Sequence, residues 1–516
     1  ILSHKSWIWM LGTVAALSAT VSCFSNANDE PELPRPDFID FKDNAVSLTV
    51  PPTGGDIVLE FTTNMDWELV MLVGNGYQNG IPDCHRGSAG ENCVIFTATP
   101  NTGMTERITP IKITAGRANH EIKLCQEVVP IVLPDESEVR EYLMRLYNET
   151  DGPNWRFRGK WGSDLPLNQW GSEVKYENGR LELNLAEHYV KGKINLSGCK
   201  ALVSIKCSKN QITELDVSDC PLLTFIDCTN TGLQKINLTG CYSLDRVSLG
   251  YNNLSMVDVG WCTTLATLYV NDCQLTELDL SQCVSLQDLG CYNNRLKKLD
   301  IPYRSRLRNL WCYENELSAL DVSNSPFLNM FNCGDNEITD LNISGCTRLS
   351  SLYCYGNRLT LLNTTDQKDV LRDCYCFSNK LTSLDMSNYR MLTELHCSDN
   401  DISQLNITGC RRLCWLYCSY NMIEELDFTG LDTHLFQRLD CSNNKLRKMD
   451  LTQMTYLRHL WCKGNRIGGE IPEWFDQLLD FEHDARYEYR VENGTYTDRV
   501  YGWWYQGEPD KMIHKR

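Results

Sequence analysis

LRNLWCYENELSALDVSNS, residues 307–325, holds leucines at its first, fourth, eleventh and fourteenth positions, with Cys312 at the sixth and Asn315 at the ninth. The same frame begins at Leu202, Leu223, Leu244, Leu265, Leu286, Leu307, Leu328, Leu349, Leu371, Leu392, Leu413, Phe436 and Leu457. Successive starts lie 21 residues apart, except for one interval of 22 and one of 23. Thirteen copies at a near-constant period predict a solenoid. Each copy adds one turn, and a turn buries its apolar side only by stacking on its neighbours.

The frame LxxLxCxxNxL resembles leucine-rich repeats, and the resemblance runs over residues 202–471. It implies a parallel strand per turn on a concave face and a surface that recognises a protein partner. The preceding RLYNETDGPNW (145–155) and GKWGSDLPLNQW (159–170) resemble the N-terminal cap of bacterial members, giving a cap over 134–201. Here a helix is expected: Asp135 caps it, Glu138 follows three residues on, and Val139, Leu143, Leu146 and Tyr147 share a face. GGEIPEWFDQLLDF (468–481) reads as an altered last turn with a covering helix, within a C-terminal cap over 472–516. Tyr487 to Thr497, turning at Asn493-Gly494, is a hairpin signal, and GWWYQGEP (502–509) seals the end.

The chain has 25 cysteines, and the repeats explain most of them. The sixth position is Cys in eleven copies and Leu249 or Val270 in the other two, so it is an apolar core column. A second column holds Cys199, Cys220, Cys241, Cys262, Cys283, Cys346 and Cys410; Arg304 and Ser325 replace it elsewhere, which places it nearer the surface. Stacked strands lie roughly 4.8 Å apart with parallel side chains, whereas disulfides need converging Cβ atoms about 3.8 Å apart. Free buried thiols are therefore expected in both columns. A metal site needs four ligands converging on one point, not a row. Neither a metal nor another cofactor is expected. Cys84 and Cys93, outside the repeats, are a candidate pair.

Strands alternate faces, so with positions 4 and 6 inward, positions 3, 5 and 7 point out. Position 5 carries Tyr269, Trp311, Tyr353, Tyr375, Tyr417 and Trp461; position 7 carries Tyr292, Tyr313, Tyr355 and Phe377. Ten aromatics at outward positions mark a candidate ligand-binding surface, although tyrosine is also simply a good strand former. Asp373 with Glu394, and Glu314 with Asp335, stand on adjacent turns. Their spacing approaches that of a retaining glycosidase pair, but an open face desolvates neither acid, so solvated carboxylates are expected. Position 9 is Asn in eleven copies, with Thr231 and Cys273 in the others, and its amide suits backbone groups where strand bends into turn.

Residues 37–133 alternate as short strands: 46–50, 57–61, 94–96, 111–113 and 121–126. This spacing predicts a small Ig-like β-sandwich. TTNMDW (62–67), TPNTGMTERITPIKI (99–113) and IKLCQE (122–127) resemble a BACON domain, which implies carbohydrate binding or a spacer; the spacer is favoured. Gly74 to Gly80 is glycine-rich but no helix pattern follows, so it is no phosphate loop. At the start, His4 and Lys5 precede an apolar run from Trp7 to Leu17 that is too short to span a bilayer. Residues 1–22 with Cys23 resemble a bacterial lipoprotein signal with Cys23 acylated; a plain secretory signal is the alternative. Residues 23–36 then form a polar tether.

The net charge of -18 repels phosphate backbones and excludes nucleic acid as a partner. The expected whole is multidomain: signal, tether, sandwich, capped solenoid. It is a non-enzymatic surface protein of Gram-negative type, exported and held to the membrane by its lipid alone, or else secreted or periplasmic. It binds a protein, with a glycan as the alternative ligand and glycoside hydrolysis a distant third.

Overall fold

The computed structural model describes residues 38–41, 47–51, 55–71, 84–98, 101, 106–127, 131–157, 159–302, 305–323, 325–467 and 480–482. Cys23, the signal and tether, the glycine-rich stretch, the hairpin and GWWYQGEP all lie outside the described residues.

The N-terminal unit is two sheets around one core. Ile39–Phe41, Gly55–Thr63 and Gly90–Ala98 form an antiparallel sheet of three. Ser47–Val50, Ala118–Gln126, Arg107–Ala115, Trp67–Met71 and Cys84–Gly87 form a sheet of five. Alternate residues from both, among them Phe61, Leu69, Ile111, Ile113 and Ile122, are buried together. Cys93, one of the candidate pair with Cys84, is free and exposed on the smaller sheet.

The helix spans Glu136–Glu149 and is capped as expected: Asp135 accepts from the Glu138 N–H at 3.0 Å. Val139, Leu143 and Leu146 are buried, and Tyr147 stacks on Trp161 with ring centroids 5.8 Å apart. Trp155, Trp161 and Trp170 complete this plug over the first turn.

Val174–Glu177 and Arg180–Asn184 make a hairpin whose second strand pairs in parallel with Leu202–Lys206. From there a single parallel ladder runs through every copy to Asp480–Glu482, giving a sheet of 16 strands. Pairing is in register: Leu310 opposes Phe331, and Phe331 opposes Leu352. Numbering turns 1–13 from Leu202, position 4 of each is buried, as alternation requires, and most residues at positions 3 and 5 are partly covered, with Lys206 and Arg246 exposed and Gly290, Asn332, Ser351 and His396 buried.

Three devices recur from turn to turn. The first is the position-9 amide. Asn336 Nδ2 donates to the carbonyls of Cys312 (3.1 Å), Cys333 (3.1 Å) and Gly334 (3.0 Å), and its Oδ1 accepts from the Leu317 N–H at 3.0 Å. It thus pairs backbone groups of two turns that no strand partner reaches. The second is position 8, which has positive φ in all thirteen turns, from Lys209 at 55° to Gly464 at 76°. Asn, Asp and Gly recur there because they tolerate this left-handed conformation. The third is position 15, where a carboxylate or amide accepts from the N–H two residues on, as Asp279 does from Ser281 at 2.8 Å.

Both cysteine columns are core. The second column, expected nearer the surface, is buried throughout, and so is Ser325 in its place. The reason is a specific partner: Cys241 Sγ donates to the Val217 carbonyl at 3.0 Å and Cys346 Sγ to Val322 at 3.2 Å, one turn back. Where Gln367 fills this column, its Nε2 makes the same reach, to Ile343 O at 2.9 Å.

One expectation about the first column fails. Cys207 and Cys228, stacked on turns 1 and 2, are disulfide-bonded across a Cα–Cα distance of 4.9 Å. That distance lies within the disulfide range, so strand stacking does not itself forbid the bond; side-chain rotation supplies the convergence. Eight further cysteines of this column, from Cys291 to Cys441, are free and buried. Burial pushes Cys291 up to about 12, which keeps its thiol protonated and unreactive.

Candidate functional site

The outward rings form two columns on the long sheet. In the fifth-position column, Tyr353 and Tyr375 have centroids 4.9 Å apart; Tyr375 and His396, 4.7 Å; His396 and Tyr417, 3.9 Å. In the seventh-position column Tyr292 stacks on Tyr313 at 4.5 Å and 7°, and Tyr355 on Phe377 at 4.8 Å and 3°. The strand spacing sets these distances, so ring faces are turned to each other and ring edges to the outside.

Glycines shape the ladder. A Cβ on Gly290 would meet the Tyr269 ring at 2.5 Å. Its absence lets Tyr269 lie across turn 5 toward Trp311, at 6.3 Å. Gly334 serves Tyr355 in the same way, with a Cβ contact at 2.5 Å. Turn 7, with Asn332 and Gly334, carries no outward ring, so the ladder falls into two stretches: Tyr269, Tyr292, Trp311 and Tyr313, then Tyr353 to Tyr417. Trp461 stands apart, stacked beside His459 at 5.7 Å.

Nine of the ten expected rings are partly covered by their neighbours. Tyr355 is a correction: it is 6% exposed, because the glycine beneath it lets the ring sink onto the sheet between Asn332 and Phe377. Burial also raises its hydroxyl well above the usual tyrosine value.

Three members of the site were missed by counting Phe, Trp and Tyr at positions 5 and 7 alone. His396 occupies position 5 of turn 10, and Trp415 and Arg438 occupy position 3 of turns 11 and 12; the register marks all three. His396 is buried, and desolvation lowers it to about 3, so it stays neutral in the stack. The Arg438 guanidinium lies 4.6 Å above the Trp415 ring and donates to Tyr417 Oη at 3.4 Å.

The carboxylates also differ from expectation. Glu394 is half-buried and accepts from the Tyr375 hydroxyl. Burial, with Asp373 adding to it, holds its carboxyl above the ordinary range. Asp373 is partly covered and accepts from Ser351 Oγ at 2.9 Å and Thr393 Oγ1 at 3.1 Å. Only Glu314 and Asp335, the second pair, are exposed as expected. Among the described residues no group of three or more His, Cys, Asp or Glu is placed to hold a metal ion.

A leucine-rich repeat family model matches residues 456–478. No curated protein matches the chain by sequence. Among solved structures, the chain is similar to the functional domain of InlJ from Listeria monocytogenes, which includes a cysteine ladder. Identity is 26%, TM-score 0.48, covering 58% of this chain and 67% of that one. It is also similar to a leucine-rich repeat protein of Leptospira interrogans, at 18% identity and TM-score 0.41 over 58% and 95%. YopM from Yersinia pestis, a leucine-rich effector protein, matches at 18% and 0.42 over 68% and 100%. The thirteen-turn frame and its continuous parallel ladder form a repeat solenoid similar to those of leucine-rich repeat proteins, and the family model matches its last turn.

Proposed function

We propose that the outer face of the long sheet recognises a protein partner and performs no catalysis. The observation that carries this reading is the ring ladder, placed on a backbone that the asparagine amides already hold. A preordered surface loses little entropy on binding, so each ring edge and hydroxyl contributes nearly its full contact energy. A glycan is the weaker ligand: sugars stack on free ring faces, and the most parallel pairs here, Tyr292–Tyr313 and Tyr355–Phe377, spend those faces on each other. The N-terminal unit serves as an Ig-like, BACON-type spacer, and the chain is exported and anchored by acylated Cys23.

The test compares the full chain with Trp311→Ala against a glycan array and in protein pull-downs. Loss of a protein partner without any glycan signal is expected; glycan binding sensitive to Trp311 overturns the reading. For the anchor, metabolic lipid labelling should vanish in Cys23→Ala, and persistence of the label refutes acylation there.

A further inference from the structure

Charge is distributed along the ring face in a way that the ladder itself does not require. At positions 3, 5, 7 and 8 of turns 4–10 stand Asp272, Asp288, Glu314, Asp335, Asp373, Glu394 and Asp399, with no lysine or arginine at any of those positions. Several of these carboxylates accept hydrogen bonds from neutral side chains. Asn309 Nδ2 donates to Asp288 at 2.6 Å, Ser378 Oγ to Asp399 at 2.9 Å, and Ser351 and Thr393 to Asp373. Basic side chains return at the rims, such as Arg308 and Arg372 at position 2, before turn 4, at Lys206, Lys209 and Arg246, and beyond turn 10.

We infer that this face takes an extended polypeptide segment bearing arginine or lysine side chains along its centre. The inference rests on the protein-recognition reading and names the partner's chemistry. Arg438 displays the mode within the chain itself: its guanidinium covers Trp415 and donates to Tyr417. A partner's arginine entering turns 4–10 meets the same ring edges and hydroxyls, with carboxylates whose own turns carry no lysine or arginine at the outward positions; Arg438, two turns on, is the cation of the sheet face that acts on Glu394. Charge-assisted hydrogen bonds to preoriented carboxylates are the strong kind, and partial burial, as at Glu394, weakens their screening by salt. Seven turns at roughly 4.8 Å each span about 29 Å from first strand to last, the length of an extended segment of about nine residues.

The experiment titrates the full chain with a peptide of about that length alternating Arg and Ser, against its Glu/Ser and Gln/Ser counterparts. Asp373→Asn/Glu394→Gln is compared with Glu277→Gln/Asp340→Asn. This control pair removes the same charge at position 13, away from the long sheet. Asn and Gln keep the acceptor oxygens, and melting curves confirm the fold; Glu394→Gln alone serves if the pair unfolds. The basic peptide alone should bind, about tenfold more weakly to the sheet-face variant (about 1.4 kcal/mol) and unchanged to the control. Equal losses in both variants mean attraction to bulk charge and overturn the inference, as does absence of binding or preference for the acidic or neutral peptide. If Trp311→Ala still weakens a protein ligand while the charge variant does not, protein recognition stands and the cationic preference falls. If neither changes any ligand, both fall.

Discussion

The imidazole of His396 lies 3.9 Å, centroid to centroid, from the phenol ring of Tyr417, inclined by 47°. Tyr375 stacks on the opposite side at 4.7 Å, so the imidazole is enclosed between two phenols and does not charge until the pH nears 3.

This enclosure sets a pH dependence. An unfolded histidine titrates near 6.5, so between about 6.5 and 3 the unfolded chain binds the proton and the folded chain does not. The stability contribution is complete above about pH 6.5 and falls with decreasing pH, at up to ~1.4 kcal/mol per unit. Glu394, held above its ordinary value, acts in the opposite direction over its own range. Denaturant melts from pH 7 to 4 should show a shallower slope for His396→Phe than for the parent chain. Equal slopes refute the enclosure.

The thiols come next. Peptide mapping after alkylation without reductant should recover a Cys207–Cys228 cross-link and alkylated cysteines from the remaining turns. Cys333→Ser should destabilise by about 1–3 kcal/mol, because a hydroxyl in that core column lacks a good partner.

Gly334 and Tyr355 should be energetically coupled. Gly334→Ala drives a methyl into the ring seated 2.5 Å from the Cβ position. Removing the ring relieves that clash. The double variant with Tyr355→Ala should therefore be more stable than the sum of the single losses, by about 1 kcal/mol or more. Additive losses place the ring elsewhere.

Burial separates two rings of the same ladder. Tyr355→Ala should cost about 3 kcal/mol or more as a buried aromatic deletion. Trp311→Ala, on a partly covered ring, should shift the melting temperature little while weakening partner binding. A larger thermal loss for Trp311 than for Tyr355 reverses the assignment.

Much of this architecture was legible from residue order. A period of 21 residues admits one stacking, and period-two alternation within each short strand settles which positions enter the core. The position-9 amide was legible too, since the same residue type at eleven of the thirteen bends answers the same backbone need. What separates members of one column was decided only by neighbours in space. Tyr355 is buried and Tyr313, at the same position of its turn, is not, because the seventh residue one turn earlier is Gly334 for the one and Tyr292 for the other. Glu394 is desolvated because Tyr375 and His396 are stacked beside it. Cys207 is bonded where Cys291 is free, although both occupy the same position of the frame. The repeat sets each residue's direction; packing against the turn before and the turn after sets its solvent exposure, its charge and its bonding.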